Sequence, residues 1–143
     1  MDPSNWKYRG RTGIIEYVGP RTSKNLRRKI WEPAHWWAAE RYKLNYYPSW
    51  KIDCMGEIPE EEPDRWEVKT CHGDNFLLKK NQHRAVKSRD GGYIFISLLK
   101  KGWRWIVMDI VLERAEEIHV DNWALNRDKG YRQAWVSADT VTP

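Results

Sequence analysis

The chain has 143 residues, 41% of them hydrophobic, and carries 25 Lys plus Arg against 20 Asp plus Glu for a net charge of +5. That length suits one domain over residues 1–143, able to bury about two thirds of its unfolded surface without disulfides or structural metals, and ten Trp, seven Tyr and two Phe exclude a disordered chain. No apolar run approaches the ~20 residues of a membrane span and no signal-peptide stretch opens the chain, so a soluble, cytoplasmic protein with no membrane partner is expected; two Cys suit a reducing compartment.

Residues 12–18 are β-branched and closed by Gly19-Pro20, which predicts a strand or an extended arm. From Thr22 the spacing of Leu26, Ile30, Trp37 and Leu44 is helical, with Ser23 as N-cap; Pro33 must break or kink the helix, and a break there predicts a second helix from about that residue through Glu40. Residues 46–58 alternate as a strand, sending Ile52 and Cys54 one way and Lys51, Asp53 and Met55 the other. Two Pro and four acids make 59–64 a loop. Residues 65–70 form a further strand whose parity puts Glu67 and Lys69 on one face and Trp66, Val68 and Thr70 on the other.

Asp74 or Asn75 is placed to cap a helix running to about Arg89, with Leu78, Ala85 and Val86 toward the core and Lys79, Lys80, Arg84 and Lys87 on wetter sides. Asp90-Gly91-Gly92 ends it. The unbroken apolar run 93–99 predicts a strand covered on both faces, and Lys100 to Gly102 turn it back into a strand over 103–112. Residues 113–143 are mixed and polar, with a short helix expected around 114–119 or 123–127. No internal repeat and no low-complexity linker interrupts the chain.

Charge is unevenly spread. Residues 1–50 carry +6, 51–75 carry −5, 76–106 carry +7 and 107–143 carry −3. An acidic island between basic stretches suits a protein that attracts a polyanion and keeps carboxylates at the point of contact. The element order brings Asp53, near the end of one central strand, toward Glu67 and Lys69 on the next. Two hard carboxylate donors suit Mg²⁺, which accepts one or two carboxylates alongside phosphate oxygens, and such an ion activates water for attack on a phosphodiester. A lysine beside them orients that water or steadies the developing oxyanion.

These residues resemble the PD-(D/E)XK nuclease superfamily. Asp53 in KIDCMG, the triplet Glu67-Val68-Lys69 in RWEVKT and Gln82 in LLKKNQHRAV, ahead of the buried strand YIFISLL, carry the resemblance over about residues 24–112, leaving 113–143 as a C-terminal extension. Ile52 stands where the motif name has Pro. Asp64, in Pro63-Asp64, is the other candidate acid, but it lies too close to Glu67 to occupy a separate strand.

The resemblance implies a restriction endonuclease-like α/β fold with a mixed central sheet flanked by helices, closest in layout to archaeal and viral Holliday junction resolvases. It implies a Mg²⁺-dependent deoxyribonuclease, with Mn²⁺ able to substitute, acting as a homodimer on DNA, including branched DNA of recombination and repair. Asp53, Glu67 and the Val68 carbonyl would hold the metal, Lys69 would position the water, and Glu40, with Glu32 as the other candidate, would add a helix carboxylate. Gln82 either polarises the site and touches phosphate or makes a core contact beside Leu78 and Ala85.

Arg27 and Arg28 (with Arg21, Lys24 and Lys29), Lys79, Lys80, Arg84 and Lys87 are the expected phosphate contacts. The ten Trp could include a stacking platform for unpaired bases, while core or a subunit contact is the expectation for most of them. Cys54, Cys71, His72 and His83 lack the paired spacing of a zinc site, although Cys54 and Cys71 could face each other across adjacent strands. The alternative function is a non-catalytic module that keeps the nuclease-like fold to bind nucleic acid or protein. P-loop, GxGxxG and nucleophile-elbow motifs are absent, which leaves nucleotide hydrolysis, dinucleotide redox and serine hydrolysis without residues.

Overall fold

In the computed structural model, residues 6–9, 14–17, 31–46, 54–55, 65–71, 75–102 and 104–137 are described. They form ten strands, β1 (Trp6–Arg9), β2 (Ile14–Tyr17), β3 (Asn45–Tyr46), β4 (Cys54–Met55), β5 (Arg65–Cys71), β6 (Asn75–Lys79), β7 (Gly92–Lys101), β8 (Arg104–Arg114), β9 (Ala124–Asn126) and β10 (Tyr131–Ser137). Two helices, α1 (Trp31–Arg41) and α2 (Lys80–Ser88), and a 3-10 turn at Ala115–Glu117 accompany them.

The main sheet runs in the order β1-β2-β8-β7-β5-β4-β3, and β6-β10-β9 make a second, smaller sheet. Strands β5 and β7 are parallel and every other described pair is antiparallel. A parallel pair needs a crossover, and β6 with α2 supply it. The molecule is therefore a mixed α/β structure with helices on the central sheet, as the sequence implies.

Burial on both faces explains why β7 reads as unbroken apolar sequence. Tyr93, Ile94, Phe95 and Ile96 are all buried, but their side chains divide between two clusters. Ile94, Ile96 and Leu98 join Trp66 and Val68 of β5 and Ala34, Trp37 and Ala38 of α1. Tyr93 and Phe95 join Phe76 and Leu78 of β6, Val86 of α2, Ala115 and Ile118. So α1 covers one face of the sheet, while α2 and the small sheet cover the other.

Helix α1 begins two residues before Pro33, which sits in the first turn where its missing N–H costs nothing. Residues 22–30, the first half of the predicted helical segment, lie outside the described residues. Of the predicted strand over 46–58, only Tyr46, Cys54 and Met55 are described, and there β3 and β4 pair antiparallel; residues 47–53 and 56–58 lie outside the described residues.

A larger departure is at 75–79, read from sequence as the start of a helix. There Phe76 and Leu78 are buried and Asn75 is exposed, the period-two pattern of a strand, and all five residues pair with β10. Helix α2 starts only at Lys80. It ends in a Schellman motif, Gly91 N–H to Val86 O at 2.8 Å and Asp90 N–H to Lys87 O at 3.1 Å. Asp90 takes the left-handed position, φ 55°, and its Oδ1 accepts from Arg114 Nη2 at 2.7 Å.

Gly92 opens β7 where a side chain has no room: a Cβ there would lie 2.7 Å from the Glu113 carbonyl oxygen and 2.8 Å from the Trp66 ring. The turn at Gly102 (φ 61°) returns the chain into β8, as expected. Of the two C-terminal helices considered, the 3-10 turn at Ala115–Glu117 matches the first; Ala124–Asn126 is a strand. Strand β10, paired with β6, ties residues 131–137 into the packed body.

Candidate active site

Strand alternation sends Glu67 and Lys69 to the face opposite Trp66 and Val68. That is the face covered by α2 and the small sheet, and there Glu67 is 1% exposed. Taking a carboxylate out of water costs several kcal/mol in a real protein unless charge and hydrogen bonds compensate. Lys69 Nζ lies 3.5 Å from Glu67 Oε1 and donates to Gln82 Oε1 at 2.7 Å. Gln82 comes from the first turn of α2, so the helix directly after the crossover strand fixes the lysine that faces the acid.

Parallel pairing of β5 with β7 puts Tyr93 beside Glu67. Burial first, and then the negative charge of Glu67, push the Tyr93 phenol well above its ordinary value, so it stays protonated at any working pH. Its hydroxyl lies 2.9 Å from His83 Nδ1, and the two rings stack with centroids 5.7 Å apart. The Trp123 ring also lies against the imidazole, tilted 45° with centroids 5.5 Å apart. Burial, and secondarily the charge of Lys87 one turn along α2, hold the His83 imidazole below its ordinary value. Adjacent residues of one helix thus grip both central strands, Gln82 on β5 and His83 on β7.

Glu67, Lys69 and Gln82 therefore lie together, with Gln82 in contact with Lys69. Val68 is buried in the α1-side cluster, with its carbonyl on the strand between Glu67 and Lys69. Glu40 is exposed on α1, the helix on the opposite face of the sheet, so the structure does not gather it with Glu67. Asp53, Asp64, Arg27 and Arg28 lie outside the described residues.

Lys80 opens α2, and Arg84 and Lys87 are exposed along it. Lys79 belongs to β6 rather than a helix, and its Nζ sits 5.0 Å from the Tyr131 ring centroid. Cys54 pairs with Trp66 across β4 and β5, so it does not face Cys71, which is in no disulfide. Sequence reasoning missed Tyr93 and His83. Their signals were a phenol opening an aliphatic run and a histidine next to Gln82, but the strand register that joins them to Glu67 is not written in either segment.

Among the described residues, no three His, Cys, Asp or Glu side chains stand together as a metal site. The chemistry of the donors still suits a hard divalent cation: Glu67 offers two buried carboxylate oxygens on the face where Lys69 supplies positive charge. Asp53 immediately precedes β4 in sequence, and β4 pairs with the Arg65 and Trp66 end of β5, next to Glu67.

No curated protein and no solved structure matches the chain significantly. The profile of the PD-(D/E)XK nuclease superfamily domain does match, over residues 22–142, a span that takes in Glu67, Lys69, Gln82 and the C-terminal strands. The chain belongs to the PD-(D/E)XK nuclease superfamily.

Proposed function

We propose that the protein is a metal-dependent endonuclease that hydrolyses DNA phosphodiester bonds, acting over residues 1–143 as one domain. The observation that carries the reading is the buried Glu67 carboxylate with Lys69 Nζ at 3.5 Å, itself held by Gln82 at 2.7 Å. A buried acid beside a half-buried lysine costs stability as a structural feature, which favours a functional reason for the pair.

In this reading Asp53, Glu67 and the Val68 carbonyl hold Mg²⁺, with Mn²⁺ able to substitute. Superfamily nucleases generally use divalent metals, and the ion when bound supplies an activated water and neutralises charge on the phosphate. Lys69 orients the attacking water and stabilises negative charge on the phosphoryl oxygens. Gln82 keeps the Lys69 ammonium from swinging toward solvent. Tyr93, across from Glu67 in the parallel register, stays protonated and engages His83 of α2 through its hydroxyl. Glu40, across the sheet, is left out of this metal set. Lys79, Lys80, Arg84 and Lys87 supply the salt-dependent attraction for phosphates, so affinity should fall steeply as salt rises.

A homodimer making paired cuts in branched DNA is the finer form of the proposal. It rests on family analogy alone. Labelled four-way junction, flap and linear duplex, each incubated with and without Mg²⁺, test the whole reading. Cleavage that needs Mg²⁺ and disappears in Glu67→Gln supports it. Binding that persists in EDTA with no nicking in Mg²⁺ or Mn²⁺ would instead establish a non-catalytic binding module.

A further inference from the structure

The small sheet has two unlike faces. Phe76 and Leu78 of β6 pair with Val136 and Ala134 of β10, and this side packs into the core. Parity sends Leu77 and Lys79 of β6 and Tyr131, Gln133 and Trp135 of β10 to the other side. Trp135 stands directly across from Leu77 and is 64% exposed, the largest exposure among the described large hydrophobic residues.

A single exposed aromatic is ordinary, but this one has company. Along the same face Lys79 Nζ lies over the Tyr131 ring at 5.0 Å, and Asn126 Nδ2 donates to Gln133 Oε1 at 3.1 Å. A strip of Trp, Leu and a second aromatic therefore ends at an ammonium held in place by a ring. From Lys79 the chain passes straight into α2, which exposes Arg84 and Lys87 and carries Gln82 to Lys69.

We propose that this outer face of β6, β10 and β9, centred on Trp135 with Leu77, Tyr131 and Lys79, is a stacking surface for unpaired nucleotides of the substrate. The inference rests on the nuclease reading and narrows it to nucleic acid with an unpaired segment. Aromatic faces bind bases of any sequence by stacking, whereas a continuous duplex keeps its base faces covered. The charge complementarity is local: Lys79 sits on the strip, and Lys80, Arg84 and Lys87, at helical spacing, continue from it along one side of α2, where a phosphate backbone can follow.

The test uses full-length Glu67→Gln protein in EDTA, so that nothing is cut. Fluorescence anisotropy is read with labelled single-stranded DNA, single-stranded RNA and blunt duplex DNA of about 16 nucleotides per strand. Trp135→Ala should weaken single-strand binding about tenfold, Trp135→Phe should stay within about threefold of the parent, and duplex binding should hold within about twofold, as expected when one stacked base is lost. The DNA and RNA arms show which backbone the surface accepts.

Unchanged single-strand affinity in Trp135→Ala overturns the proposal, as does an equal loss on duplex. So does light scattering showing that Trp135→Ala splits a dimer, since the face would then join two copies of the chain. Wild-type cleavage in Mg²⁺, lost in Glu67→Gln, is scored separately: if it is present while Trp135→Ala binds normally, the stacking surface alone fails. If the wild-type protein never cuts while Trp135→Ala loses single strands selectively, the nuclease reading alone fails.

Discussion

The two faces of the β5–β7 pair are built from alternate residues of the same strands, yet they do different work. On the α1 side every inward side chain of the cluster is apolar: Trp66, Val68, Ile94, Ile96 and Leu98 against Ala34, Trp37 and Ala38. On the α2 side the same strands present Glu67, Lys69 and Tyr93, and α2 answers with Gln82 and His83. Phe95, Phe76, Leu78 and Val86 continue that second face as ordinary core. The cluster of Glu67, Lys69, Gln82, Tyr93 and His83 thus occupies one end of one face, whereas the strand side chains that meet α1 on the opposite face are apolar. Loss of a side chain should cost stability on the first face and activity on the second.

The sharpest break between them comes from Ile96→Ala and Glu67→Gln. Ile96 is fully buried, and truncation there should lower unfolding stability by about 2–5 kcal/mol, read from urea midpoints at unchanged m-value. Cleavage by whatever fraction stays folded should be near normal. Glu67→Gln keeps the shape and removes the charge. Since losing an outer-shell partner of a metal ligand typically costs about 10–100-fold, losing a direct ligand should cost more than about a hundredfold in cleavage with the fold retained. Wild-type cleavage by Glu67→Gln would mean that the acid of the α2 side is structural.

Gln82→Ala asks whether the helix acts through the lysine. Its Oε1 accepts from Lys69 Nζ and touches no reacting atom in the proposed scheme, so it is a positioning residue. Cleavage should drop by about 10-fold, within the range seen for such partners, and the loss should fall on kcat rather than KM. Gln82→Glu, which keeps an acceptor for the ammonium, should recover part of it. A pure packing role would instead move the urea midpoint and leave kcat alone.

These differences also explain what could be read from the residues in order. The α1 side was legible because its signals are local: Pro33 near a helix start, a continuous apolar run for β7, and strand parity in RWEVKT that sends Trp66 and Val68 there together. The α2 side was only half legible. Residues 75–79 satisfied a helical spacing through Leu78, Ala85 and Val86, and their true partner, β10, comes far later in the chain. Tyr93 reaches Glu67 through the parallel β5–β7 register, a long-range pairing with no local code. The same limit applies to the expected facing of Cys54 and Cys71, which the register of β4 on Trp66 sets apart.

The finest comparison is in pH dependence, and it turns on His83. The imidazole is buried against Tyr93 and Trp123 with Lys87 nearby, and its affinity for a proton is lowered in the fold. In the unfolded chain the same group titrates near about 6.5. Between that value and its lower folded value, the unfolded state therefore binds more protons than the native state, and stability falls as pH drops. His83 contributes fully above about pH 6.5, and its contribution is lost progressively below it. The melting temperature should decline from pH 7.5 toward pH 5, and His83→Asn, which keeps a polar group for the Tyr93 hydroxyl, should show a shallower decline. His35, buried on α1, is present in both proteins, so the difference between the two curves isolates the α2 side. Parallel curves would mean that His83 is free to protonate in the fold, and that the clamp on Tyr93 opens in mild acid at no cost.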